Sequence, residues 1–362
     1  MRCAVPSVVV VALLAAGCRE APPPTGASEE GTSGAWFKDA PLVTSHYTAD
    51  PSAHVFDGRI YIYPSHDIDA GIPSDDAGSH FAMRDYRVYS MERIDGPVTD
   101  HGVVLDVDQV PWAARQLWAP DAAARDGRYF LYFPAKDDEG VFRIGVAVAD
   151  TPAGPFTADP APIDEAVSID PAVFTDADGA SYMYFGGIWG GQLQRWTTGS
   201  YQPEDSYPAP EAPAIAPRVA RLRDDMRGFA EPPREILILD EGGQPVTAGD
   251  NARRFFEAAW LHKRGDTYYL SYSTGDTHYI VYATGTSPYG PFTYRGRILE
   301  PVLGWTSHHS IVEVAGQWLL FYHDAQRSGG QTHLRNIKVT PLGHLEDGSI
   351  ETQTVYRPES GG

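Results

Sequence analysis

The sequence predicts an all-β protein built as a five-bladed β-propeller. One hairpin signal, a glycine turn followed by an aromatic-rich strand, recurs five times, with its glycines at Gly58, Gly127, Gly179, Gly265 and Gly316. Gly58 and Gly316 lie 258 residues apart, so the mean spacing is 64.5 residues, which suits four strands and their loops. The 362-residue chain is also rich in Gly (36), Pro (30) and Tyr (20), as expected for short strands joined by turns.

Further strand patterns follow each copy of the hairpin signal, at residues 87–90, 144–148, 192–196, 279–283 and 334–339. Gly-Pro turns then recur at Gly96, Gly154 and Gly290. A β-sandwich with repeated hairpins is the alternative, but sandwiches rarely keep so long a period. The one large irregular insert spans residues 200–250, and it is expected to form either an active-site wall or a surface loop.

The N-terminal residues 1–17 have the pattern of a secretory signal peptide. A basic start at Arg2 precedes an apolar run that is too short to span a membrane. The run ends in Leu-Ala-Ala-Gly-Cys18, which resembles a bacterial lipobox, and an ordinary signal cleaved elsewhere is the alternative. We therefore expect an exported lipoprotein, in the periplasm or on the outer surface of a bacterium, whose only membrane contact is a lipid anchor at Cys18. Residues 18–40 read as a flexible tether, and residues 41–358 as the propeller domain.

Charge and cysteine content exclude several classes of partner. Asp and Glu total 48 against 28 Lys and Arg, a formal net charge of −20. A polyanion is repelled by nucleic acids and by anionic membrane surfaces, whereas a neutral sugar is a compatible ligand. Cys3 and Cys18 are the only cysteines. Cleavage before Cys18 leaves a single cysteine and therefore no thiol pair, so we expect neither a disulfide framework nor a cysteine metal site.

A polar residue precedes each of the five turn glycines by six to nine positions, namely Asp50, Asp121, Asp170, Glu257 and His308. In a propeller, the strand before each turn lines the central channel, so these side chains should converge at one mouth of the axis. Like charges held close together cannot all ionise, and the resulting split in pKa is what acid and base catalysis require. Any one of these residues alone is more often a turn cap or a solvated group. The shorter offset of Asp121 also allows a structural role.

Four segments resemble the spaced motifs of glycoside hydrolase family 43: Ala49-Asp50-Pro51-Ser52, Ser168-Ile169-Asp170-Pro171-Ala172, Phe255-Phe256-Glu257-Ala258 and His308-His309-Ser310-Ile311-Val312. The resemblance implies an inverting hydrolase, an α-L-arabinofuranosidase or β-xylosidase acting on plant cell-wall oligosaccharides or polysaccharides. It makes Asp50 the general base, Glu257 the general acid, and Asp170 the group that orients Glu257 and keeps its pKa high. Inverting enzymes place the acid and the base roughly 6.5–9.5 Å apart, which leaves room for a water molecule.

The resemblance also implies a water-coordinated Ca²⁺ at His308, and no organic cofactor is expected. Ca²⁺ prefers oxygen ligands, and the neighbouring His309 is the alternative inward-facing residue. Three tryptophans are predicted either to stack on sugars or simply to pack: Trp118, Trp189 and Trp305. Arg335 is predicted to reach a sugar hydroxyl or a catalytic carboxylate, with a surface salt bridge as the alternative.

Three other functions remain open at this point. One is an endo-arabinanase, and another is a non-catalytic propeller that binds glycans. The third is a fructose-transferring relative of the same architecture, which should carry an Arg-Asp-Pro motif. Here Arg84-Asp85 is followed by Tyr86, which disfavours the third alternative. The sequence leaves both the choice between arabinose and xylose and the choice between exo and endo action undetermined.

Overall fold

A computed structural model describes residues 40–357 and Met1, and within them the chain forms five sheets, antiparallel except for one short parallel strand, arranged as a five-bladed β-propeller. No helix in this part of the chain is long and apolar enough to cross a bilayer. The predicted signal peptide, the Cys18 anchor and residues 18–39 of the tether lie outside the described residues and stay predictions.

Each of the first four blades contains four consecutive antiparallel strands. Blade 1 contains β1 (Tyr47–Phe56), β2 (Arg59–Asp67), β3 (Asp85–Met91) and β4 (Thr99–Asp106), and blade 2 contains β5 (Asp121–Arg125), β6 (Arg128–Lys136), β7 (Phe142–Ala149) and β8 (Thr157–Ala158). Blade 3 contains β9 (Ala172–Thr175), β10 (Ser181–Phe185), β11 (Arg218–Arg221) and β12 (Arg234–Glu235). The short strand β13 (Ile238–Leu239) joins blade 4 in parallel beside β17, and the other strands of that blade are β14 (Phe255–Arg264), β15 (Thr267–Thr274), β16 (Ile280–Gly285) and β17 (Phe292–Leu299).

Blade 5 contains only three strands, β18 (His309–Val314), β19 (Gln317–Asp324) and β20 (Asn336–Pro341). The segment before β1 and the start of β1 bind this blade, because Leu42 N donates to Ile337 O at 2.8 Å and Thr48 N donates to Arg335 O at 2.9 Å. The first strand of every blade contacts the first strands of both neighbouring blades. The ring is therefore closed by backbone hydrogen bonds between the start and the end of the propeller domain.

The five repeated glycines occupy the tight turns between the first and second strand of each blade, as predicted. Each has a positive φ, between 58° and 83°, a region open to glycine at little steric cost. In three of the turns the preceding residue also has φ near 50°, at Asp57, Asp126 and Ala315. Two consecutive positive φ values match the twist of a two-residue hairpin, so the repeated sequence signal is a set of hairpin turns.

The core is divided among the five interfaces between neighbouring blades, and each interface has its own cluster of buried apolar residues. Between blades 1 and 2, for example, Tyr63 and Val88 pack with Leu131 and Phe133. Full burial of one such side chain stabilises the fold by about 1.5–3 kcal/mol. Packing between blades therefore fixes the inner strand ends that carry the polar residues.

The strand predicted over 192–196 is wrong. This segment forms two 3-10 turns, Trp189–Gly191 and Leu193–Arg195, and Gln192 between them has φ 70°. Side-chain hydrogen bonds hold the compact form: Gln192 Oε1 accepts from Phe142 N at 2.9 Å, and Ser168 Oγ donates to the carbonyls of Gly187 and Gly191. The glycines at positions 186, 187, 190 and 191 allow the backbone to adopt these turns. In the sheet, β11 occupies the position beside β10 that the predicted strand was expected to fill.

The insert at 200–250 supplies the outer strands of blade 3 together with β13. None of its residues lines the main cavity described below, although Asp205 and Tyr207 line a groove beside it. The insert is thus mainly a source of outer strands, and it is neither a plain surface loop nor a wall of the main cavity.

Candidate active site

The five inner strands begin around one cavity of about 370 Å³. All eight residues that the sequence singled out for catalysis, substrate contact or metal binding line it: Asp50, Trp118, Asp170, Trp189, Glu257, Trp305, His308 and Arg335. They come from all five blades or the loops attached to them. The architecture therefore brings together side chains that are separated by up to 285 positions in the chain.

Backbone irregularities set the positions of the two aspartates. Asp50 has φ 50° and lies where the pairing of β1 with β2 shifts register, and Asp170 has φ 54° just before β9. Such values are uncommon outside glycine, and aspartate tolerates them better than most residues. Each is followed by a proline, Pro51 or Pro171, which has no N–H to contribute to the sheet. The bulge in β1 therefore changes the direction of the Asp50 side chain. It leaves no backbone N–H unpaired at position 51, because proline has none.

Glu257 is positioned by a similar irregularity in β14. The pairing of β14 with β15 shifts register on both sides of Glu257, and the next residue, Ala258, has φ 61°. Asp170 Oδ2 accepts a hydrogen bond from Ala258 N at 3.0 Å. Asp170 thus holds the backbone next to Glu257 in place. This hydrogen bond is the structural basis on which Asp170 can orient the Glu257 side chain.

The Asp50 carboxylate is almost fully buried and is held by two donors. Ser65 Oγ donates to Oδ2 at 2.6 Å, and Arg335 Nη1 donates to Oδ1 at 2.9 Å. His323 Nε2 lies 3.1 Å from the carbonyl of Thr306, which can only accept, so Nε2 carries the proton. His323 Nδ1 is then the acceptor for Asp50 N at 3.0 Å. This histidine fixes the Asp50 backbone, and in this tautomer it does not donate to the carboxylate.

Asp50 and the pair formed by Asp170 and Glu257 have opposite pKa shifts. Burial raises the pKa of Asp50, but several lowering contributions, of which the Arg335 guanidinium is the largest, together outweigh burial and hold that pKa well below its usual range. Burial, with repulsion from Glu257 and Asp50, raises the pKa of Asp170 well above its ordinary value. Burial and the Asp50 charge raise the pKa of Glu257 to about 8. At neutral pH the cavity therefore contains an ionised Asp50 and a pair, Asp170 and Glu257, that holds its protons jointly.

Arg335 is a buried member of this site, so the surface salt bridge considered for it is ruled out. Besides Asp50, it binds Asp67 through Nε and Nη2, each at 2.8 Å, and through its backbone N at 2.8 Å. Its guanidinium carbon lies 4.9 Å from the ring centroid of Phe81. Although Arg335 lines the cavity, most of its donors are already used, so its main partners are carboxylates and not sugar hydroxyls.

The sequence reasoning missed Ser65, Asp67 and His323, which all lie near the ends of second strands. A second strand runs antiparallel to the inner strand and returns to the same mouth of the propeller. Ser65 and Asp67 follow Gly58 by seven and nine residues, and His323 follows Gly316 by seven. Counting six to nine residues back from each turn glycine located the acidic residues, and counting seven to nine residues forward would have located Ser65, Asp67 and His323.

Asp121 and His309 have structural roles between blades. Asp121 is fully buried and accepts hydrogen bonds from Ser52 Oγ and from Val173 N, thereby linking blades 1, 2 and 3. His309 Nε2 lies 2.6 Å from Ser271 Oγ and faces away from the cavity, whereas His308 lines it. Of the two adjacent histidines, His308 is therefore the inward one.

The surroundings of His308 do not form a site of direct Ca²⁺ ligands. Both of its ring nitrogens are buried without a hydrogen-bond partner, and Asp170 Oδ2 lies 3.7 Å from Nε2. Burial lowers the pKa of His308 to about 4, so the imidazole is neutral and has a free lone pair. No group of three or more acidic, histidine or cysteine residues within residues 40–357 is arranged to hold a metal. Water-mediated Ca²⁺ binding at His308 stays a prediction, and no catalytic step is assigned to it.

The three tryptophans differ in exposure. Trp118 is packed: its Nε1 donates to Phe81 O at 2.8 Å and its ring lies 4.5 Å from that of Phe142. Trp305 is 41% exposed, with its ring 5.4 Å from that of Trp189. Trp189 and Trp305 therefore form the open aromatic surface that a sugar can stack on, whereas Trp118 is mainly a wall of the cavity.

Comparisons with known proteins agree with this geometry. The sequence model of Glycosyl hydrolases family 43 matches residues 39–350. The chain is 60% identical to "Xylosidase/arabinosidase 43A" of Humicola insolens over 323 residues, which cover 87% of this chain and 99% of the relative. It is 50% identical to a "Beta-xylosidase" of Xylanibacter ruminicola, over 85% of this chain and 97% of the relative.

A solved structure shows the same similarity in three dimensions. The crystal structure of a β-xylosidase/α-arabinofuranosidase from a compost microbial metagenome, in complex with xylotriose and in a calcium-free form, superposes with a TM-score of 0.86 at 67% identity. The match covers 88% of this chain and 98% of that structure. The five-bladed propeller, the cavity lined by residues from all five blades, and these matches lead to one assignment: the chain belongs to glycosyl hydrolase family 43.

Proposed function

We propose that this protein is an inverting, exo-acting glycoside hydrolase that releases xylose or arabinose from the ends of plant cell-wall oligosaccharides, as a β-xylosidase and α-L-arabinofuranosidase. The observation that carries the proposal is that Asp50, bound by Arg335, and Glu257 line one cavity, an arrangement that favours an ionised Asp50 and a protonated Glu257 at neutral pH. The names of the similar proteins supply the pentose substrates.

In this mechanism Glu257 gives its proton to the glycosidic oxygen as the bond to the anomeric carbon breaks. Asp50 removes a proton from a water molecule that attacks the same carbon from the opposite face. A general acid works best with a pKa near the working pH, and the value of about 8 for Glu257 meets that condition. The bonds from Ser65 and Arg335 keep Asp50 ionised and fix its direction.

Asp170 contributes in two ways without itself exchanging a proton with the substrate. Its bond to Ala258 N holds the backbone next to Glu257. Its proximity to Glu257 also makes it costly for both groups to be ionised. The second effect keeps a proton available within the pair while the substrate binds.

Exo action is supported by the contact between two loops beside the cavity. Gly190 lies so close to Ala77 that a Cβ atom at position 190 would be 3.1 Å from the Ala77 carbonyl oxygen. The same added Cβ would lie 3.2 Å from the Trp118 ring. Residues 77 and 190 therefore close one side of the cavity, which favours binding of a chain end over a chain interior.

The alternative of a non-catalytic glycan-binding propeller does not account for the site. Binding a neutral sugar does not require a protonated carboxyl at Glu257 and a buried carboxylate at Asp50 in the same cavity. Endo-arabinanase activity requires a groove open at both ends, and the contact between residues 77 and 190 opposes that.

A substrate panel tests this proposal directly. The full chain is incubated with p-nitrophenyl β-D-xyloside, p-nitrophenyl α-L-arabinofuranoside, xylotriose and arabinan, and released sugars are quantified. We expect turnover of at least one pentoside and release of single xylose units from xylotriose. Binding of xylotriose without turnover of any substrate would support the glycan-binding alternative, and cleavage of arabinan into internal fragments would support the endo-acting one.

A further inference from the structure

Asp67, at the end of β2, is a fully buried carboxylate that the proposed mechanism does not use. It does not line the cavity, but both of its oxygens bind Arg335. Oδ2 accepts from Arg335 Nε and from the Arg335 backbone N, and Oδ1 accepts from Nη2, all at 2.8 Å. The side chains of Asp67 and Arg335 are 0% and 4% exposed, so water does not replace these bonds.

This arrangement fixes the direction of the remaining guanidinium nitrogen. A bidentate carboxylate restricts the guanidinium to one plane and one rotation, because both groups are planar and rigid. The Phe81 ring covers the guanidinium at 4.9 Å. With Nε and Nη2 bound to Asp67, Nη1 is left facing Asp50 Oδ1 at 2.9 Å and Thr306 Oγ1 at 3.3 Å. The same end of β2 also supplies Ser65, the second donor to Asp50.

We propose that Asp67 is a positioning residue of the hydrolytic site, and that it acts on the general base Asp50 entirely through Arg335. The inference rests on the role proposed above for Asp50. It predicts that a change at Asp67 lowers kcat by more than the loss of folded enzyme can explain.

A double-mutant cycle tests the inference, using Asp67→Asn, Arg335→Met and the variant that carries both changes. Asparagine keeps the shape of Asp67, but its amide nitrogen must oppose one of the Arg335 donors. Methionine keeps the packing of Arg335 on Phe81. We expect Asp67→Asn to lower kcat on xylotriose by about 10-fold to 100-fold, as for a displaced catalytic group. The double variant should match Arg335→Met within about twofold, because Asp67 has no function without Arg335.

A pH profile gives a second readout, which also serves if Arg335→Met does not fold. Loss of folded enzyme lowers the rate by one factor at every pH. A displaced Arg335, in contrast, lets burial raise the pKa of Asp50. We then expect kcat/KM of Asp67→Asn to fall by at least about threefold between pH 6.5 and 4.5, relative to the wild-type ratio. The other charged or titratable groups that face Asp50 are unchanged in this variant: His308, His323, Asp170 and Glu257.

Asp176→Asn is the matched control, because Asp176 is another largely buried aspartate, bound to Lys263 at 2.8 Å away from the cavity. It should lower stability without altering the pH profile. Wild-type kcat in Asp67→Asn, or multiplicative effects in the cycle, would overturn the inference while leaving the proposed function intact. A wild-type enzyme that is inactive on every pentoside would instead refute the proposed function itself.

Discussion

Substitution of Glu257 by glutamine is expected to lower kcat on xylotriose by about 10²-fold to 10⁴-fold, the range typical of a lost general acid. Glutamine has nearly the same shape but cannot give a proton to the leaving oxygen. With p-nitrophenyl β-D-xyloside the loss should be much smaller, because p-nitrophenolate leaves without protonation. Steady-state kinetics on both substrates measure this difference, with circular dichroism and thermal unfolding as controls for folding.

The same assignment predicts the alkaline side of the pH profile. Glu257 must be protonated to act, and its pKa is raised to about 8 by burial and the Asp50 charge. Wild-type kcat/KM should therefore fall as the pH rises above about 8, and Glu257→Gln should lose this decline. Equal losses on the two substrates in Glu257→Gln would contradict its role as the acid.

Substitution of Asp50 by asparagine is expected to lower kcat by about 10²-fold to 10⁴-fold on both substrates equally. Attack by water requires the base whatever the leaving group, so an activated leaving group does not rescue this variant. The stability should also fall, by about 1–3 kcal/mol, because the amide nitrogen of asparagine opposes one of the two donors, Ser65 or Arg335. Kinetics on xylotriose and on the chromogenic xyloside, with thermal unfolding, check both effects.

The two variants Asp50→Asn and Glu257→Gln are thus expected to differ in one respect: the loss of kcat depends on the leaving group in Glu257→Gln and does not in Asp50→Asn. If Asp50→Asn were rescued by the p-nitrophenyl group and Glu257→Gln were not, the two roles would have to be exchanged. Retention of wild-type activity on xylotriose by either variant would remove that residue from the mechanism.

Much of the fold was predictable because the propeller repeats one local signal. Turns such as Asp57-Gly58 and Asp126-Gly127 fix a hairpin through local backbone geometry alone, so each is visible in sequence. Counting back from each turn then located Asp50, Asp170 and Glu257, since equivalent positions on equivalent strands meet at one mouth of the ring. Residues 192–196 were assigned wrongly because side-chain bonds from Gln192 and Ser168, which depend on distant partners, override the local pattern.

The charge network around Asp50 was less predictable. Arg335 lies 285 positions from Asp50 in the chain. Whether Arg335 binds carboxylates or sugar hydroxyls depends on its burial and on its contact with Asp67, and no local sequence pattern indicates either. The carboxylate pKa values likewise depend on exact separation and desolvation. Sequence reasoning therefore identified which residues meet, and the structure was needed to show how they are paired.

The stereochemistry of the first product tests the central claim most directly, namely that the Asp50 carboxylate and the Glu257 carboxyl, on different blades, act from opposite faces of the sugar. Proton NMR can follow hydrolysis of xylotriose from the first minutes, before the anomers of free xylose interconvert. The proposed division between Asp50 and Glu257 predicts that α-xylose accumulates first from the β-linked substrate. If β-xylose accumulated first, the reaction would proceed with retention, and the roles assigned to these two residues would be wrong.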